Sequence, residues 1–136
     1  MYLRATEHRT AYLHHSIYTL SLDIDLARFK RSWEEVVRRN AIMRTAFVLI
    51  DDSNISPFAQ VVQSEIKIDW VEDIQSDVDA LVRMYLHQVP ERISLRTPSS
   101  VAILANEKGT DVRFALTMHH SIFGNVVSLV LPQKLT

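Results

Sequence analysis

The spacing of apolar and polar positions changes several times along the 136 residues, and each change marks an element. Tyr12 to Leu22 is rich in Tyr, Ile, Thr and Leu and reads as an extended strand. Asp25 then supplies an N-cap. Leu26, Phe29, Trp33, Val36 and Val37 recur at helical spacing, which predicts a helix over Leu26–Arg39 with one buried face. On its other side Glu34 precedes Arg38, and Glu35 precedes Arg39, by four residues, the favourable order for ion pairs. The basic residues Arg28, Lys30, Arg31, Arg38 and Arg39 therefore read as a solvated helix face rather than a phosphate-binding patch.

Arg44–Ile50 (RTAFVLI) reads as the next strand, closed by the turn-like DDSNISP. Phe58–Val62 and Ile66–Trp70 follow as two short extended segments. Ser76 can cap a second helix with the stripe Val78, Leu81, Val82, Tyr85, Leu86 and Val89, ending near Pro90. Ser100–Ala105 and Asp111–Met118 flank the turn NEKGTD and read as a hairpin. The order strand, helix, strands, helix, hairpin predicts an α+β fold: a mixed β-sheet with two helices, over 26–39 and 76–89, packed on one face. No repeat, linker or low-complexity tract divides it, so residues 1–136 read as a single domain.

Composition narrows the function classes. At 47% hydrophobic and 23% charged the chain can build a core. Fifteen Lys and Arg oppose sixteen Asp and Glu, a net charge of −1 that gives no footprint for nucleic acid. The absence of cysteine excludes disulfides, thiolate metal sites and cysteine nucleophiles. No apolar run approaches the ~20 residues of a membrane helix, and MYLRATEHRT lacks a secretory h-region, so a cytoplasmic protein without a membrane partner is expected.

Chemistry concentrates on two histidine pairs, His14-His15 and His119-His120. Neighbours on a strand face opposite ways, so neither pair grips a metal by itself, and no metal is expected. His14-His15 reads as ordinary strand residues, one ring out and one half-buried. No GxSxG elbow, GxxxxGK[ST] loop or GxGxxG turn is present. If the strand from Val112 holds, Val112, Phe114, Leu116, Met118 and His120 share an apolar face. A neutral imidazole at its end suits a general base at pH 7, or else a hydrogen-bonded core histidine.

Two ordered blocks resemble the condensation domain of nonribosomal peptide synthetases, with a fungal cadence. RRNAIMRTAF (Arg38–Phe47) is similar to the family's RHxxLRTxF block, preceded by the usual strand and capped helix in DIDLARFKRSWEEVV. MHHSIFGN (Met118–Asn125) is similar to the active-site block MHHxxxDG. The resemblance implies one lobe of a fold like chloramphenicol acetyltransferase. It implies that His120 takes the catalytic second-His position, that His119 is its structural neighbour, and that Arg44 is the structural arginine. It implies no directly bound cofactor, the substrates arriving on phosphopantetheine arms of carrier domains.

The chain departs from the pattern. Gly124 and Asn125 stand where the block has Asp and Gly, and a lost partner in a buried pair typically costs about 3–5 kcal/mol unless the site is repacked. MYLRATEHRT matches no first block, and the sequence stops twelve residues after Gly124, before any second lobe. The expectation is a single, partial N-terminal lobe with a vestigial His120, acting as a structural or docking module in peptide biosynthesis. The alternative is an excised half of an active condensation domain that forms amide bonds between carrier-bound thioesters, with His120 as general base. The uncharged stretch SIFGNVVSLVL is the expected docking segment, for a second copy, an adjoining synthetase domain or another subunit.

Overall fold

The computed structural model describes residues 12–49, 58–120 and 122. In chain order the elements are β1 (Leu13–Thr19), α1 (Leu26–Arg39), β2 (Thr45–Leu49), β3 (Phe58–Val62), β4 (Trp70–Ile74), α2 (Val78–Gln88), β5 (Ser99–Ala105) and β6 (Val112–His119). β1, β6, β5 and β4 form one sheet in that order, and β2 pairs with β3 in a second. β6 runs antiparallel to both neighbours, whereas β4 and β5 are parallel, joined by α2. A parallel pair cannot be closed by a tight turn, and the helix supplies the crossover. The sheet is mixed and carries two helices, as the patterning predicts.

Local chemistry sets the ends. The Asp25 carboxylate accepts from the Arg28 amide at 3.2 Å, and the Asp77 carboxylate from the Ala80 amide at 3.1 Å. Asn40 closes α1, its side-chain amide donating to the Val36 carbonyl at 2.6 Å. α2 gives way to a 3-10 turn over Val89–Arg92 with Pro90 in its first turn. In the β5–β6 turn the Asn106 side chain accepts from the Thr110 amide, and Gly109 takes φ 69°, a conformation that side chains disfavour.

The helices lie on opposite faces of the sheet, not on one. Trp33, Val36 and Val37 of α1 share a core with Val101, Ile103, Phe114, Leu116 and Met118. Val78, Leu81, Val82 and Tyr85 of α2 share the other with Leu13, Ala102, Leu104 and Ala115. Successive strand residues face opposite ways, so β5 and β6 bury both faces and read as nearly unbroken apolar runs. Phe114 centres the α1 side, edge-on to Phe29 at 5.0 Å and to Trp33 at 5.3 Å between ring centroids.

Three further expectations shift. The strand placed at Ile66–Trp70 begins instead at Trp70, where pairing with Val101 starts; Ile66 and Ile68 pack on the core without a ladder. Asp77 caps α2 rather than Ser76, because only the Asp77 carboxylate reaches the Ala80 amide. On α1 both Arg38 and Arg39 bond Glu35, at 2.6 and 2.7 Å, rather than forming two separate pairs.

Candidate functional site

The pairing of β1 with β6 creates the site. Leu13 lies opposite His119, His14 opposite Met118 and His15 opposite Thr117, so both histidine pairs gather at one end of the sheet. Sequence reading treats the pairs separately and misses the grouping. Val112, Phe114, Leu116 and Met118 are buried on the α1 side as expected, while His120, just past the strand, is exposed. His119 is half-buried. Its amide donates to the Pro98 carbonyl at 2.7 Å, and its ring stacks on Tyr12 with centroids 6.4 Å apart.

Burial first, and then the neighbouring His120, hold the His119 pKa below the usual imidazole value; the same two causes act on His14. Burial, and then His14, lower that of His15. These three rings are therefore neutral at pH 7 and able to accept a proton. Among the described residues no three His, Asp or Glu side chains form a group that could hold a metal ion.

Arg44 lies at the C-terminal end of the 3-10 turn Ala41–Arg44. Its Nε donates to the Val37 carbonyl at 3.3 Å and its terminal nitrogen to the Gln63 carbonyl. It thus ties the end of α1 to the end of β3. Gly124, Asn125 and all of SIFGNVVSLVL except Ile122 lie outside the described residues, while Ile122 is buried in the α1-side core.

A cavity of about 570 Å³ opens beside the strand end. Trp33, Met43 and Val101 line it, together with the cationic Arg44, Lys67, Arg92 and Arg96. Pro98, the partner of the His119 amide, is also in its wall. Arg44 was singled out by its sequence block, whereas Lys67 and Arg96 come from loops and Arg92 from a 3-10 turn, where no periodicity marks them.

The comparisons agree with this geometry. The sequence model of the family "Condensation domain" matches residues 1–136. The chain is 46% identical over 122 residues to the nonribosomal peptide synthetase fso1 of Omphalotus olearius, which covers 90% of this chain and 3% of that protein. It is 32% identical over 129 residues to the synthetase sidC of Aspergillus fumigatus, covering 89% of this chain and 3% of that one. The fold matches the starter condensation domain of rhizomide synthetase RzmA with a TM-score of 0.75 at 13% identity, covering 98% of this chain and 34% of that one. It matches the condensation domain of the Monacolin K polyketide synthase MokA with a TM-score of 0.69 at 19% identity, covering 87% and 27%. The chain spans only a small part of these synthetases. With the family model matching residues 1–136 and a synthetase 46% identical over 90% of this chain's length, the chain belongs to the condensation-domain family.

Proposed function

We propose that this chain is a single condensation-type lobe that does not itself catalyse and serves a nonribosomal peptide synthetase as a structural or docking module. The observation that carries this reading is the pairing of a sequence change with a geometry. Gly124 replaces the carboxylate of the active-site block, and Arg44 bonds two backbone carbonyls, those of Val37 and Gln63. Its partners on this reading are other synthetase domains or subunits, whose carrier domains bear the phosphopantetheine arms.

The second reading, an excised half of an active condensation domain, is supported by the half-buried, neutral His119 beside His120. There His120 would take the proton of the acceptor amine as it attacks the donor thioester. The test is incubation of the chain with loaded donor and acceptor carriers, followed by mass spectrometry of the acceptor. The expected result is no amide product, and none after Gly124→Asp. Turnover that disappears in His120→Ala overturns the structural reading and establishes the catalytic one.

A further inference from the structure

The cavity beside the strand end has two kinds of wall. One is apolar: Met43 and Val101 belong to the α1-side core, and Ile66 and Ile68 pack against it. The other is charged, and its signs do not balance. Arg44, Lys67, Arg92 and Arg96 stand against only Glu65 and Asp69 among the described lining residues. In a chain whose net charge is −1, that is a local concentration of positive charge.

The pairing inside the wall sharpens the excess. Asp69 is taken by Arg92, at 2.9 Å. Arg44 keeps its full charge, because the groups it bonds are the neutral carbonyls of Val37 and Gln63. Lys67 and Arg96 are exposed and make no hydrogen bond or ion pair with any described residue. Three cations are thus left against Glu65. A concave wall of one sign focuses its field and raises the local concentration of anions. Arg44 has committed its Nε and a terminal nitrogen, so it offers charge more than geometry. Arg96 offers an open fork, which fits the two oxygens of a carboxylate, and Lys67 adds a point charge.

The apolar wall sets the rest of the ligand. A bare inorganic anion would leave Ile66, Ile68 and Met43 wet, and a neutral apolar guest would leave the cations unanswered. The cavity holds about 570 Å³, within the ~300–1,000 Å³ of ordinary small-molecule sites. We propose that it binds an organic carboxylate with an apolar body of about amino-acid size. The carboxylate is held by Arg96 and Lys67 in the field of Arg44, and the body lies against Ile66, Ile68 and Met43.

The experiment is a nitrogen-15 amide NMR titration of the intact chain at low salt with four probes: N-acetyl-leucinate, its neutral amide, acetate and inorganic phosphate. N-acetyl-leucinate should give saturable shifts at Lys67, Arg96, Thr97 and Ser99. It should bind about tenfold more tightly than the amide, the value of one charge-assisted hydrogen bond, and more tightly than acetate. No saturable shift, or shifts that miss these residues, overturns the site. Equal binding of the amide overturns the carboxylate, and equal binding of acetate overturns the apolar body. Tighter binding of phosphate assigns the cavity to a phosphate group and overturns the proposal. Arg96→Gln and Lys67→Gln, exposed and without partners to lose, should each weaken N-acetyl-leucinate several-fold. Unchanged affinity in both overturns their role. These measurements read binding alone, so they stand whichever way the assay with loaded carriers falls.

Discussion

Arg44 and Gln63 hold each other in both directions: the Gln63 amide donates to the Arg44 carbonyl at 2.9 Å, and the Arg44 guanidinium donates back to the Gln63 carbonyl. With the further bond to Val37, one side chain joins the end of α1 to the β2–β3 sheet. Hydrogen bonds from a charged donor contribute about 1.5–3 kcal/mol each at most, so Arg44→Ala should lower the unfolding free energy by about 2 kcal/mol in urea titration. Arg44→Lys should recover only part of this, because an ammonium lacks the fork that spans two acceptors.

Trp33 is 3% exposed and edge-on to Phe114, so its truncation leaves a large hole between α1 and the sheet. Trp33→Ala should cost about 3–5 kcal/mol, read as a large fall in melting temperature by circular dichroism. An unchanged melting temperature would contradict the packing of α1 described above.

The caps of α2 separate by substitution. Asp77→Ala removes the acceptor of the Ala80 amide and should cost about 1 kcal/mol. Ser76→Ala, at an exposed position outside the cap, should stay within about 0.5 kcal/mol of the parent in the same denaturant series.

Acid should unfold the protein in two stages. His14, His15 and His119 have folded pKa values below the 6.5 of the open chain, so the unfolded state takes up these protons first. Stability from this source is flat above pH 6.5 and falls as pH drops below it, because the unfolded state there binds more protons. Glu35, bonded by Arg38 and Arg39, is lowered from 4.5 to about 2, so its contribution is present above pH 4.5 and lost between there and about pH 2. Urea midpoints measured across this range should show the upper stage weaken in His15→Gln and the lower one in Glu35→Gln.

The limits of sequence reading are physical. The bounds of α1 were legible because cap and stripe, Asp25 through Arg39, fall within one window. The block at Arg38–Phe47 and the pair at His119-His120 were legible because each is a contiguous string. The faces were not: Val101, Ala102, Ile103 and Leu104 are all apolar, so alternation does not say which residue meets which helix. Ser76 and Asp77 are both capping types, and only geometry chooses between them. The grouping of His15 with Thr117 depends on a ladder between distant segments. Of the cations in the cavity wall only Arg44 belongs to a recognisable block; Lys67, Arg92 and Arg96 come from loops and a short 3-10 turn.

That ladder also has a kinetic meaning. Among the described residues β1 is an edge strand whose neighbour in the sheet is β6, and His15 and Thr117 are 102 positions apart. Closing a loop of that length costs about 4 kcal/mol of chain entropy by the logarithmic rule, before any bond repays it. On a ribosome adding ~5–20 residues per second, β1 waits roughly 5–20 s for its mate to be made. Throughout that interval its backbone edge is open to wrong partners, and nascent chains crowded on one message are where strand exchange between copies would begin.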